Sequence, residues 1–291
     1  MEPVSPAIKP TLEWWPSPAK INLFLHICGR HENGYHELQT LFQLLDYGDK
    51  IGIELNALSN VTLSDNIDGV KTQDNLIYKA ACLLLPYRSN PSLGANIYVR
   101  KKIPMGAGLG GGSSNAATVL VALNYLWQCN LRQSELLLLG KSLGADVPVF
   151  VNGHSAFAHG IGDKLSNTHI EPAYYLIATP DAHISTQAIF THPDLPRNSH
   201  KLDINEYKFA LTRNDCEKLV CNLQPEVANL LNRLLHYAPS RMTGTGASVF
   251  AKFTTLERAK DVMQYLPDRV TAFVAKGLDV SPLHVKLAQC T

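Results

Sequence analysis

Five of the seven residues from Gly106 to Gly112 are glycine, and the run passes directly into the apolar stretch "SSNAATVLVALNYLW". Each glycine costs roughly 1 kcal/mol of conformational order relative to alanine. Packing explains one such residue, or two, but not five. Loose backbone immediately before a strong helix brings unpaired N–H groups and the positive end of the helix dipole to one point. Glycines also let an anion approach the main chain without Cβ clashes, and turns of alternating hand form a nest of N–H donors. The run reads as a phosphate-binding loop; a purely structural loop is the alternative.

The rest of the chain limits what that phosphate belongs to. At 291 residues, 45% hydrophobic and 18% charged, the sequence is that of a soluble globular protein with room for two modest domains. A net charge of +1 speaks against a nucleic-acid partner. Apolar runs such as Leu136 to Leu139 are too short to span a bilayer. The N-terminus "MEPVSPAIKPTLEWW" lacks the basic-then-apolar order of a signal peptide, which makes the cytoplasm the expected location. Six scattered cysteines without a CxxC pair predict free thiols, neither a zinc site nor a disulfide framework.

Organisation follows from the periodicities. The first 13 residues, with three prolines, read as a loose extension, and "AKINLFLHICG", "HELQTLFQLLDYGD" and "DKIGIELNAL" as strand. "DNLIYKAACLLLPY" predicts a helix capped by Asp74, "GANIYVRKKIP" a strand, and the glycine loop a helix over about 113–128. A second helix, "RQSELLLLGKSLG", precedes the short extended pieces "ADVPVFV" and "HSAFAHGIGD". Further on, "AYYLIATP" predicts a strand, "THPDLPRNSHKLD" a surface loop, and "NDCEKLVCNLQPEVANLLNRLLHYAP" one broken or two short helices. "RMTGTGASVFAKF", "TLERAKDVMQYLP" and "RVTAFVAKGL" follow as strand–turn–strand, helix and strand. The expected fold class is α+β, with domains at 1–160 and 161–291, the second built on an antiparallel sheet.

Familiar phosphate motifs fit poorly. Gly106, Gly108 and Gly111 satisfy GxGxxG, but the loop lies a third of the way along, and no acid stands near the spacing a dinucleotide site needs. Gly140-Lys141-Ser142 has Glu135 where a Walker A glycine belongs, and the HRD and DFG elements of protein kinases are missing. Two charged residues in apolar contexts stand out. Asp146 in "LGADVPVF" is either a turn or cap aspartate or a catalytic acid, and Lys20 in "PAKINLFL" reads most simply as a charge on a solvated face.

"PMGAGLGGGSSNAAT" resembles the ATP-binding motif of the GHMP kinases, the superfamily of galactokinase, homoserine kinase and mevalonate kinase. "PSPAKINLFLHICGRHENGYHEL" and "RMTGTGASVFA" resemble its N-terminal and C-terminal motifs, in the right order along nearly the whole chain. "GYHELQTLFQLLDYGD", the expanded "GLGGGSSNAA" and "LGADVPVF" are similar to the branch acting on a cytidyl diphosphate sugar alcohol in the non-mevalonate route to isoprenoid precursors. Ala107 stands where many relatives have glycine, a departure of one methyl.

The resemblance implies a two-domain fold with the active site in the cleft, ATP as phosphoryl donor, and Mg²⁺ accompanying it. It implies that Pro104, Met105, Gly106, Ala107, Gly108, Leu109, Gly110, Gly111, Gly112, Ser113 and Ser114 hold the nucleotide. Asp146 is then the catalytic acceptor, ion-paired with Lys20, whose charge also favours the transition state. Tyr35 stacks on cytosine, His36 reads its edge, Phe190 closes the opposite face, and Asn22 lies near the methylerythritol hydroxyls. Gly244 and Gly246 border the cleft or form a plain hairpin. No protein ligand for Mg²⁺ is assigned, although Ser113 or Ser114 suits either that ion or helix capping. The resemblance leaves monomer and homodimer open. Another GHMP kinase of homoserine or mevalonate type, or a non-catalytic nucleotide binder on this scaffold, is the competing reading.

Overall fold

A computed structural model describes residues 11–32, 34–64 and 70–290. Most of the N-terminal extension, residues 1–10, therefore lies outside the described residues. Two long antiparallel strands, β1 (Glu13–Arg30) and β2 (His36–Asn56), form the spine of the α+β fold. Every residue of β1 from 17 to 27 is buried, so the strand is covered on both faces, which is why it reads as an almost unbroken apolar run. Register shifts at Pro18/Lys20 and Asn22/Leu25 bracket its two unusual polar residues. Such irregularities re-aim side chains beside functional sites.

β3 (Val61–Leu63) and β4 (Gly94–Arg100) extend the sheet beyond β2, while β5 (Ala156–Gly160) and β6 (Lys164–Asn167) pair along the other half of β2. α1 (Leu76–Leu84), α2 (Gly111–Leu126), α3 (Gln133–Leu143) and α4 (Val147–Asn152) build the first layer of helices. α2 is its centre, with every residue from 114 to 123 buried.

The second half has the expected antiparallel sheet. β7 (Tyr174–Thr179) pairs with β9 (Val249–Phe253) and β10 (Thr271–Leu278), and β8 (Ser240–Met242) with β9. β10 also pairs with β2 through Gly277 and Leu278, joining the two sheets. α5 (Thr186–Thr191), α6 (Glu217–Leu223), α7 (Pro225–Leu235) and α8 (Leu256–Met263) belong to this half. α7 buries Val227, Leu230, Leu231 and Leu234, an apolar stripe at helical spacing. α9 (Pro282–Cys290) returns to the first half, where Leu283 joins the core.

Three apolar clusters result, one in each half and one along the seam. The seam cluster gathers Ala19, Ile21 and Leu23 of β1, Ala107 and Leu109 of the glycine loop, and Tyr175, Phe250 and Phe273 of the second sheet.

Several local expectations change. Asn75, not Asp74, caps α1, its Oδ1 accepting from Ile77 N at 2.9 Å. Asp74 instead pairs with Lys79 across 3.9 Å at the surface. α2 begins two residues earlier than expected, after a left-handed Gly110. "ADVPVFV" is a short helix, because Pro148 in the first turn has a φ already suited to it. Sequence reading did not anticipate α9. Among the described residues no helix is long and apolar enough to cross a membrane.

Candidate active site

Gly106, Gly108 and Gly110 all have positive φ, at 65°, 74° and 72°. Between them Ala107 and Leu109 are 3% and 1% exposed and plug into the seam core. The loop thus alternates buried anchors with left-handed turns, and the Ala107 methyl fills space inside. Two of these glycines also make room for the protein itself. A Cβ on Gly108 would lie 2.5 Å from Thr243 O, and one on Gly110 would lie 2.9 Å from Phe150 and 3.1 Å from Lys20 Cε. Gly112, in the first turn of α2, is different: its φ is ordinary and its nearest neighbour would be Leu76 Cδ1 at 3.8 Å. It faces a cavity of about 380 Å³ lined by 104–113, Asn75, Leu76, Lys101 and Asn115.

Ser113 lines that cavity. Ser114 is fully buried, with its hydroxyl 2.9 Å from that of Ser17 and its N–H donated to Gly110 O, so its side chain is turned away from the cavity. Below the loop, buried Asp49 accepts from the N–H groups of Lys102 and Ile103, from Asn115 Nδ2 and from Lys101 Nζ, fixing the loop's entry to the start of α2.

Lys20 is not on a solvated face. It is 2% exposed. Its Nζ donates to Asn22 Oδ1 at 2.7 Å and Gly108 O at 3.0 Å, and pairs with Asp146 Oδ2 at 3.1 Å. Residues 20 and 22 project from the same face of β1, which explains the first contact. The main-chain N–H of Lys20 also donates to Leu109 O at 3.1 Å, tying β1 to the glycine loop. Asp146 occupies the N-cap position of α4, yet its carboxylate makes no cap bond and turns to Lys20. Its side chain remains 35% exposed to the cleft. Asn22 is further held by Thr40, to which its Nδ2 donates at 2.8 Å, and by Thr243 Oγ1, which accepts from its N–H at 2.9 Å.

The turn at 243–248 touches the first loop directly. Ser248 N–H donates to Ala107 O at 3.3 Å, and Gly244 and Thr245 line a central cavity of about 290 Å³. Lys20, Asn22, Asp146, Gly108, Gly110, Ser113 and Phe190 line it too. Gly246 is not in this lining; a Cβ there would meet Ile184 and Met242 at 2.9 Å.

Tyr35, His36 and Phe190 line a third cavity of about 490 Å³ with Arg30 and Gln187. Tyr35 is 60% exposed, while His36 is 7% exposed with its ring centroid 5.3 Å from that of Phe190. Burial first, and then the nearby charges of Arg197 and Arg30, push the His36 imidazole below its ordinary value. Arg197 Nε–H donates to His36 Nε2 at 3.0 Å.

The three cavities adjoin and share lining residues. Gly108, Gly110 and Ser113 border both the first and the second, and Leu38, Ala145, Ile161 and Phe190 both the second and the third. The glycine loop, the Lys20–Asp146 pair and the aromatic residues Tyr35 and Phe190 with His36 therefore line neighbouring cavities. That arrangement suits transfer of a phosphoryl group between a nucleotide and a second ring-bearing molecule. The described residues contain no group of three or more His, Cys, Asp or Glu side chains able to hold a metal ion. A Mg²⁺ ion here would be coordinated chiefly by nucleotide phosphates and water, its usual habit. Sequence reading missed Asn75, Leu76, Lys101, Thr40, Thr243 and Arg197. Only Asn75, ahead of an apolar helix, carried a local signal, and it was taken by its neighbour Asp74.

The GHMP kinases N terminal domain family matches residues 75–154, and the GHMP kinases C terminal family matches 197–271. A 4-diphosphocytidyl-2-C-methyl-D-erythritol kinase of Pseudoalteromonas atlantica is 56% identical over 278 residues, covering 96% of this chain and 97% of its own. One from Vibrio cholerae is 54% identical over 274 residues, covering 94% of each. A crystal structure of 4-(cytidine 5'-diphospho)-2C-methyl-D-erythritol kinase superposes with a TM-score of 0.80 at 31% identity, covering 91% of this chain and 99% of its own. The chain belongs to the GHMP kinases and, within them, to the 4-diphosphocytidyl-2-C-methyl-D-erythritol kinase family.

Proposed function

We propose that this chain transfers the γ-phosphoryl group of ATP to the 2-hydroxyl of 4-diphosphocytidyl-2-C-methyl-D-erythritol in the cytoplasm. The observation that carries the reading is the succession of adjoining cavities from the glycine loop, past Lys20 and Asp146, to Tyr35, His36 and Phe190. The names of the relatives supply the acceptor's identity.

Phosphoryl transfer asks mainly for positioning and for stabilisation of charge. The N–H groups of 106–113 and the amino end of α2 receive the phosphates. Mg²⁺, when bound with ATP, neutralises part of the phosphate charge. Asp146, which lines the middle cavity, accepts the proton of the attacking hydroxyl. Lys20 holds the Asp146 carboxylate in place and adds a positive charge to the cavity. Asn22, fixed by Thr40, Thr243 and Lys20, presents a polar edge to the sugar-alcohol hydroxyls. Tyr35 and Phe190 stack on the cytosine ring and His36 reads its edge.

A coupled assay of ADP release tests the whole reading, with the cytidyl substrate, mevalonate and homoserine offered side by side. The cytidyl substrate alone should support turnover. Comparable turnover with either of the others, or none with any, would overturn the assignment.

A further inference from the structure

Arg197 lies in the proline-bearing loop after α5, outside every motif, yet each of its guanidinium N–H groups has an acceptor. Nη2 donates to the carbonyls of Phe190 at 3.1 Å and His192 at 2.7 Å. Nη1 donates to Leu195 O at 2.9 Å and Pro193 O at 3.5 Å. The remaining Nε–H donates to His36 Nε2 at 3.0 Å. A guanidinium has five N–H groups in a rigid planar fork and no acceptor. Four carbonyls therefore fix the fork, and the fork fixes the direction of the Nε–H.

That bond has a chemical consequence for His36. Arginine only donates, so Nε2 must accept through its lone pair, and the neutral ring carries its proton on Nδ1. Nδ1 is then a donor and not an acceptor toward any base that meets it. Cytosine presents acceptors at ring N3 and O2. Uracil has a proton on N3, and a donor facing His36 Nδ1–H has no partner.

We infer that Arg197 is the positioning residue that sets base specificity, locking His36 in the Nδ1–H tautomer while anchoring the Phe190 wall of the same pocket. The inference rests on the cytosine-pocket reading above. It adds a reason for discrimination that lies outside the pocket lining. Without Arg197 the imidazole can move its proton to Nε2, leaving Nδ1 to accept from uracil N3–H.

Two measurements test this, one independent of substrate. In protein with ¹⁵N-labelled histidine, the His36 resonances at neutral pH should show a protonated Nδ1 and an unprotonated Nε2. A protonated Nε2 overturns the proposal, whatever the enzyme's substrate. The second measurement compares kcat/KM for the cytidyl substrate and its uridyl analogue in the parent protein, Arg197→Met and Arg197→Lys. Arg197→Met keeps length and apolar bulk, and should shrink the cytidyl preference by about tenfold or more, because an unpaired buried donor no longer penalises uracil. The KM for ATP should stay within twofold. Arg197→Lys retains a cationic donor and should recover part of the preference. If Arg197→Met weakens both substrates equally and leaves their ratio intact, Arg197 only supports the loop and the proposal fails. If the parent protein shows no preference, the cytosine-pocket reading itself falls and takes the specificity role with it, while the tautomer result stands separately.

Discussion

Substituting Gly112 with valine separates glycines that serve a ligand from glycines that serve the fold. Its φ is ordinary, it lies in the first turn of α2, and a new Cβ would have only Leu76 Cδ1 at 3.8 Å for company. Valine is favoured over glycine in a helix by a few tenths of a kcal/mol, so the folded protein should be no less stable. The γ-methyls, however, would enter the 380 Å³ cavity in front of the N–H groups assigned to ATP. Losing one charge-assisted hydrogen bond costs about 1.5–3 kcal/mol, equivalent to about tenfold to a hundredfold in affinity. Gly108→Ala is the counterpart. Its Cβ would lie 2.5 Å from the main-chain oxygen of Thr243, at a φ of 74°. The left-handed conformation alone costs about 1–2 kcal/mol, and the displaced turn adds to it. The KM for ATP from ADP release, and thermal unfolding of both variants, give the comparison. Gly112→Val should raise KM with an unchanged melting temperature, and Gly108→Ala should lower the melting temperature. A Gly112→Val enzyme whose KM for ATP stays within twofold would refute the placement of the phosphates.

Further outcomes follow from the same geometry. Asp146→Asn preserves size and removes the proposed proton acceptor, so kcat should fall by about two to four orders of magnitude, with both KM values nearly unchanged; near-normal turnover would sink the role. Tyr35→Ala and Phe190→Ala each remove a stacking face worth about 1–3 kcal/mol. Each should raise the KM for the cytidyl substrate about fivefold to a hundredfold without moving that for ATP, and the opposite pattern would misplace the pocket. Burial lowers His26 and His284 below their ordinary value of 6.5. The unfolded chain therefore binds protons there that the folded chain does not, and stability should be full above pH 6.5 and decline as the pH falls below it. Denaturant midpoints at pH 7.5 and 5.5 measure this, and the decline should lessen in His284→Gln.

Sequence and structure agree best where chemistry leaves a local trace. The glycine loop announced itself because five residues of high conformational cost stand at a helix start, and most strands and helices of the second half were legible from their periods, α5 and α9 excepted. Lys20 shows the limit. A lone charge in an apolar strand suggests solvent, because the acceptors that justify its burial, Gly108 O and Asp146, lie far along the chain. Six residues of α4 are too few to establish a helical period, so "ADVPVFV" resembled strand until the proline's place in the first turn was visible. Ser114 and Ser113 are indistinguishable in sequence, yet the rotation of about 100° between neighbours in a helix sends the first hydroxyl to Ser17 and leaves the second on the cavity. Arg197 carried no signal at all, since its partners are mostly main-chain carbonyls, which no sequence pattern encodes.

The surroundings of Lys20 also limit how it can act. An ammonium has three protons, and here they meet Asn22 Oδ1, Gly108 O and Asp146 Oδ2 at 2.7, 3.0 and 3.1 Å. Donating directly to a transferring phosphoryl group would mean giving up one of them. The geometry instead favours a fixed charge that acts through space in a poorly solvated cavity, where Coulomb interactions are screened less than in water. Lys20 is then a structural part of the glycine loop as well as an electrostatic one, and the two roles can be separated. Lys20→Met should reduce turnover, as Asp146→Asn does. It should also destabilise the fold by about 1–3 kcal/mol, because Gly108 O and Asn22 Oδ1 each lose a buried donor. Asp146→Asn leaves those two bonds in place and should unfold at nearly the parent temperature. Arginine is no substitute, since a planar fork cannot meet three acceptors converging on one point. Thermal unfolding beside kcat decides the matter: a Lys20→Met protein as stable as the parent would mean that the ammonium does not hold the loop.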